Sequence, residues 1–382
     1  MASPAFPADA RLVSEHIRRV RKNMNNLAHR VLSPGVWRTP RWEDRSWPNG
    51  HAYSKRFMNA SAELQSAGPP SQPDLPEASA PNLESLNNSR TPKTAGHLRA
   101  LRLQHWLKNF LLFVPLLAAH RLGESALLSK VLLGFLAFGC ITSSGYLIND
   151  LLDLAADRRH PNKRYRPFAS GDLPISYAFW MIPALVVAAG VIGSQVSGLF
   201  VAAVLIYLAL TVTYSLYLKQ VALLDVVVLA GLYTLRILAG SAAAAIWPSY
   251  GLLAFSTLLF LSLALVKRYG ELAVMRRIDG DAARARAYHF SDGELLAAMG
   301  IASGYLAVLV LAVYINREAS LVLYRRFELM WALCPLLLYW ISHVWLIAHR
   351  GQMPDDPVLF AVTDRTSRIV ALLMLAVCLL AV

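Results

Sequence analysis

Asp150, Asp153 and Asp157 recur at i, i+3 and i+7 in the stretch NDLLDLAADRRHPNKRYRPFASG, residues 149–171. If the helix of the preceding apolar run continues, the three share one face within about 60°, with Asn149 at its edge. Carboxylates stacked in this way repel each other unless a cation sits among them. Oxygen-only ligands on an open face suit Mg²⁺, which keeps some waters and takes substrate phosphates as further ligands. Arg158, Arg159, Lys163, Arg164 and Arg166 follow at once, five cations in nine residues. A solvated loop whose acids and bases merely neutralise each other is the plainer reading. Acids gathered on one face and bases in a block fit a metal-bound polyanion better.

The elements that must position these groups are membrane spans. The chain is 56% hydrophobic and 16% charged, with a mean hydropathy of +0.42, the composition of an all-α polytopic membrane protein rather than a soluble domain. Nine apolar runs are candidate transmembrane helices, at about 103–119, 131–148, 173–193, 197–217, 222–245, 248–266, 294–315, 329–348 and 369–382. Placing the N-terminus in the cytoplasm puts fifteen Lys and Arg in inside loops against five in outside loops, as the positive-inside rule requires. The Asp150 loop then faces the cytoplasm from the inner membrane. The net charge of +13 is dispersed between spans, which suits anionic lipid or substrate and argues against nucleic acid. Cys140, Cys334 and Cys378 lie in apolar runs without ligand spacing and read as small hydrophobes.

Residues 1–95 differ from the rest. They are rich in Pro, Ser, Asn and Arg, and residues 69–81 have the composition of a disordered linker. Val13, Ile17, Val20, Met24, Leu27 and Val31 recur at helical spacing among Arg18, Arg19, Arg21 and Lys22. That pattern predicts a short basic amphipathic helix able to lie on an anionic membrane, with a functionless extension as the alternative. The expected organisation is a disordered basic extension over 1–95 and a transmembrane domain over 96–382.

Other charged residues sit where a bilayer makes them expensive. Tyr214, Lys219 and Asp225 flank the second inside loop. Arg236 lies three turns beyond Asp225, about 16 Å by helix rise and on nearly the same face, which predicts one cavity lined by both. The third inside loop opens with VKRYGELAVMRR, placing Lys267, Arg268, Tyr269 and Glu271 at a span end; its remainder, RRIDGDAARARAYHF, reads as a basic, helix-forming cap. Trp106, Lys108 and Asn109 open the first span, where interfacial anchoring explains them equally well. Asp355, Asp356, Asp364 and Arg365 lie in the last inside loop without an evident catalytic role, and His160 before Pro161 reads as shaping its loop.

ND-x-x-D-x-x-x-D at the end of a second span resembles the first aspartate-rich motif of the UbiA superfamily of intramembrane prenyltransferases. The continuation DRRHPNKRYRPFASG, the KRY-x-E stretch at Lys267 and the first span resemble its decaprenyl-phosphate phosphoribosyltransferase branch, from about Leu98 to the C-terminus. The second acidic cluster of aromatic-substrate UbiA enzymes is missing here. The resemblance implies a UbiA-type helical bundle and Mg²⁺-dependent transfer of 5-phosphoribose from phosphoribosyl diphosphate to a polyprenyl phosphate. Asp150, Asp153 and Asp157 would then be catalytic metal ligands. Lys108, Asn149, Lys163, Arg166, Tyr214, Lys219, Asp225, Arg236, Lys267, Arg268 and Glu271 would contact substrate, with Lys267, Arg268 and Arg236 left for the lipid phosphate. A prenyltransferase acting on an aromatic acceptor, and a lipid or solute transporter, are the alternatives. A homo-oligomer is compatible with the sequence, which sets no oligomeric state.

Overall fold

The computed structural model describes residues 93–381, apart from 160–162, 280–283, 286, 317–325 and 355. These belong to the second of two units, Thr91–Val382. The expected amphipathic helix, the linker at 69–81, His160 with Pro161, and Asp355 lie outside the described residues.

The described chain runs through helix α1 (Lys93–Leu101) and a 3₁₀ segment, Leu103–Phe113, that continues as an α-turn over Val114–Ala118. There follow α2 (Ser125–Leu152), α3 (Ile175–Ser194), α4 (Gly198–Leu216), α5 (Leu224–Ala244) and α6 (Tyr250–Asp279). After α6 come two short antiparallel strands, β1 (Arg284–Ala285) and β2 (Tyr288–His289). The chain ends with α7 (Gly293–Ile315), α8 (Leu333–His349), the turn Pro357–Thr363 and α9 (Arg365–Ala381). Seven of these helices are long and apolar enough to cross a membrane. The chain is an integral membrane protein.

The first and last of the nine expected spans are shorter, and the first compensates by geometry. A 3₁₀ helix rises about 2.0 Å per residue, so Leu103–Ala118 reaches about 30 Å, the thickness of a hydrocarbon core. Its threefold repeat also stacks side chains at i and i+3, which puts Asn109 and Leu112 on one buried face behind Trp106. That face seats closely on two helices. A Cβ at Gly240 on α5 would meet the Leu112 carbonyl at 2.0 Å, and one at Gly139 on α2 would meet the Trp106 ring at 2.7 Å. The Trp106 Nε1–H donates to Ser143 at 3.0 Å and Ser143 donates to the Leu101 carbonyl at 2.8 Å, fixing the segment along α2.

Two apolar cores meet on α5. Val226, Ala230 and Ile237 face α6, α7 and α8, whereas Leu232, Ala239 and Ala243 face the first span, α2 and α4. The stretch expected to be a helix-forming cap is helical only to Asp279, after which β1 and β2 pair. Tyr288 is the reason: it is 2% exposed and anchored inward, as described below. The three cysteines are free and partly buried.

Candidate active site

The helix carrying the acidic motif breaks at Asp153. α2 ends at Leu152, and a separate turn, Leu154–Asp157, carries on. Asp150 and Asp157 nonetheless stay on one side, because Arg166 donates to both, at 3.3 and 2.6 Å. Asp150 also accepts from Arg102 at 2.6 Å. Asp153 turns to another partner, the Lys219 ammonium at 2.6 Å. Asp150 and Asp157 are buried, while the Asp153 side chain is 27% exposed. Each aspartate is therefore neutralised by a protein cation, and among the described residues no three acids gather to hold a metal. Lys163 lies in the one-turn segment Lys163–Tyr165 of the same loop and Asn149 closes α2.

The backbone conformation of Arg102 carries its guanidinium to Asp150. It stands between α1 and the 3₁₀ segment at φ 50° and ψ 47°, a left-handed conformation that costs a non-glycine residue about 1 kcal/mol. Its guanidinium lies 5.2 Å from the Tyr146 ring centroid. Tyr146 in turn stacks on His105, ring centroids 4.7 Å apart.

His105 and Lys108 lead to a second anion. Lys108 Nζ lies 2.5 Å and His105 Nδ1 3.5 Å from Asp356 Oδ2. The other oxygen of Asp356 accepts from the Val358 N–H at 3.1 Å and caps Pro357–Thr363. Burial alone would raise the pKa of Asp356. The His105 hydrogen bond and the charges of Lys108 and Lys267 hold it well below the usual carboxylate range.

A third network centres on a buried ion pair and reaches the surface at Glu271, whose side chain is 26% exposed. Arg268, 0% exposed, donates from Nε to Asp225 and from Nη1 to Glu271, each at 2.5 Å, and from Nη2 to Tyr214 at 2.7 Å. Tyr288 donates to the other Asp225 oxygen at 2.5 Å and accepts from the Leu223 N–H at 2.8 Å. Leu223 sits at φ 65°, a strained position held by that bond. Burial and the bond to Asp225 push the Tyr288 hydroxyl above its ordinary range. Lys267 and Arg268, paired in sequence, thus diverge: Arg268 is committed to protein partners, and the Lys267 charge acts on Asp356.

Arg236 is separate again. It donates to Asn109 at 3.3 Å, to the Leu232 carbonyl at 2.8 Å and to Tyr207 at 2.7 Å. Phe138, Tyr207 and Tyr233 present their rings to it at 4.8–5.7 Å. Arg236 and Asp225, expected to line one cavity, hydrogen-bond in two separate networks. A groove of about 280 Å³ on α6–α8, lined by Tyr269, Tyr305, Trp345 and His349, shares no residue with these clusters.

Arg102, His105, Tyr146 and Tyr288 carry no signal in the sequence. Asp356 is visible there, but its partner Lys108 lies 248 positions earlier.

A helical bundle with an aspartate-rich motif at a span end, facing a basic loop, defines a membrane-embedded transferase. The chain belongs to the UbiA prenyltransferase family, whose profile matches residues 110–363. It is 39% identical to the nodulation protein NoeC of Azorhizobium caulinodans over 71% of this chain and 88% of that protein. It is 35% identical to the decaprenyl-phosphate phosphoribosyltransferase of Mycolicibacterium smegmatis over 48% of this chain and 59% of that protein. The fold is shared with a UbiA homologue of Archaeoglobus fulgidus bound to DMAPP and Mg²⁺: TM-score 0.56, 19% identity, 74% of this chain and 97% of that one.

Proposed function

We propose that the chain transfers a 5-phosphoribosyl group from phosphoribosyl diphosphate to a polyprenyl phosphate, with the acid motif on the cytoplasmic side of the inner membrane. The observation that carries this reading is the chemistry around Lys267 and Arg268 on α6. Where a prenyl diphosphate transferase acting on aromatics needs a second acidic cluster, Arg268 saturates Asp225 and Glu271, and Lys267 adds positive charge. The phosphoribosyltransferase relative supports the same substrate class.

Asp150, Asp153 and Asp157 would hold Mg²⁺, their oxygen-only chemistry fitting that ion. When bound, it supplies neutralisation of charge on the leaving diphosphate. Arg102, Arg166 and Lys219, which now neutralise those aspartates, stand within reach of the same diphosphate, as does the loop carrying Lys163. The C1–O bond to diphosphate breaks as an oxygen of the lipid phosphate forms a new bond to C1. That oxygen is already ionised near neutral pH, so no general base is required, and none of the clusters offers a dedicated one.

The test supplies purified protein and Mg²⁺ with labelled phosphoribosyl diphosphate or labelled prenyl diphosphate and extracts the lipid. Label from the phosphoribosyl donor in the polyprenyl phosphate fraction is expected. Label from the prenyl donor alone overturns the reading.

A further inference from the structure

One turn of the 3₁₀ segment delivers two basic side chains to a single carboxylate oxygen. Lys108, His105 and Asp356 have side chains only 10%, 16% and 13% exposed, yet Asp356 lies 248 positions after Lys108. Aromatic rings flank this cluster: Tyr233 lies 5.6 Å from the Lys108 ammonium, and Tyr146 stacks on His105. Tyr146 also touches Arg102, the partner of Asp150, so the cluster adjoins the acid motif across one ring.

A buried ion pair is a poor device for stability alone, because well-packed apolar residues of similar size usually do as well. This one is built asymmetrically. One Asp356 oxygen meets the Lys108 ammonium and the His105 ring, and the other caps its own short helix, so breaking the ion contact does not remove the cap. Positive charge converges from the first span through Lys108 and, through the charge of Lys267, from α6. A phosphate monoester carries more charge and more acceptor oxygens than a carboxylate. It therefore competes for Lys108 and His105 with an advantage.

We propose that this cluster is the subsite for the phosphate monoester of an isoprenoid lipid, and that Asp356 occupies it as a tethered anion which the lipid phosphate displaces. The proposal rests on the reading above, in which a second polyanion must sit beside the acid motif. It assigns that polyanion to Lys108 and His105, in the field of Lys267, and leaves Arg268 to the internal network.

The probe is farnesyl phosphate, added without donor to the purified full chain and followed by direct titration and by thermal shift. Asp356→Asn retains a good helix cap and nearly the same volume but removes the competing charge. It should bind the probe about tenfold tighter than the wild type, and the probe should raise its unfolding temperature more. Lys108→Gln should bind about tenfold more weakly, and Lys108→Arg should restore most of the loss. Inorganic phosphate at equal concentration should shift the unfolding temperature less than the probe; an equal shift overturns the lipid assignment. Equal or weaker binding by Asp356→Asn, or wild-type binding by Lys108→Gln, overturns the subsite. A purely structural pair would give that result, with an unfolding temperature lowered and not recovered by the probe. If Asp356→Asn does not survive purification, the Lys108 pair decides alone. Should the binding pattern hold while phosphoribosyl label never reaches lipid, the subsite stands and the donor assignment falls. Transfer without the pattern means the reverse.

Discussion

The acid-motif cluster and the Arg268 cluster use the same side chains in opposite ways. Around Asp150, Asp153 and Asp157 every carboxylate has a cation, but Arg166 is 26% exposed and Asp153 27%. Around Asp225, both Arg268 and Asp225 are 0% exposed, and every guanidinium nitrogen has a protein acceptor. Ion pairs at a solvated rim contribute little to stability and exchange partners readily, whereas a sealed one cannot lose a member cheaply. The first cluster is thus suited to hand its charges to a ligand. The second holds α4, α5, α6 and the β1–β2 hairpin in register.

The sharpest way to break this contrast is Arg268→Ala. It would strand Asp225 in the interior and leave Glu271 without its cation, destabilising the protein by about 3–5 kcal/mol, read as lost yield of folded protein or a large fall in unfolding temperature. Arg268→Lys should recover only part, because one ammonium cannot span three partners in a plane. An Arg268→Ala protein that folds normally and merely turns over slowly would assign Arg268 to substrate instead.

Asp153→Ala should do the converse. Turnover should fall at least about a hundredfold, as for loss of one charge-stabilising group, while the unfolding temperature falls less than for Arg268→Ala, because Asp153 is itself 27% exposed although its partner Lys219 is buried. Asp150→Ala should be as inactive but less stable, since it strands Arg102 in a strained backbone. Wild-type turnover in EDTA, or near-normal rates in either variant, would remove the metal from the reading.

Tyr288→Phe tests the sealed cluster more gently. It deletes the hydrogen bonds to Asp225 and to the Leu223 N–H while Arg268 stays, so a stability loss of about 1–2 kcal/mol is expected. The Michaelis constant for the donor should be unchanged. A donor-specific effect would show that the hairpin borders the donor site.

How much of this was legible in advance follows from where the contacts close. The motif 149–171 announces itself because its spacing is local, and Arg166 bridging Asp150 and Asp157 is the geometry that i and i+7 predict. The break at Asp153 is less legible, since nothing in LLDLAAD is a helix breaker. The first span is visible as an apolar run, but hydropathy does not distinguish a 3₁₀ rise from an α rise. Arg102 depends on that rise and on one left-handed residue, so its pairing with Asp150 leaves no pattern. Asp225 and Arg236 share a helix face in projection, and that projection predicted a shared cavity. Each instead meets a neighbour from another helix, Arg268 or Tyr207, which no single-helix argument supplies. The strands around Tyr288 override a basic helical pattern because one buried hydroxyl gains two partners there.

The smallest expected effect concerns where the domain begins. A chain starting at Thr91 should insert and turn over within about twofold of the full protein, since the family match begins at residue 110 and the residues removed fall within 1–95, read from composition as a disordered basic extension with a short amphipathic helix. A chain starting at Leu103 should not. Ala100 of α1 is 1% exposed and packs with Leu147 and Phe168 beneath the acid motif, and Arg102 would be gone from Asp150. Comparing the two truncations at equal insertion isolates twelve residues, 91–102. Equal turnover by both would mean that Arg166 alone suffices to orient Asp150 and that the left-handed Arg102 is dispensable. Loss already in the Thr91 chain would place a role for catalysis or insertion in residues 1–90.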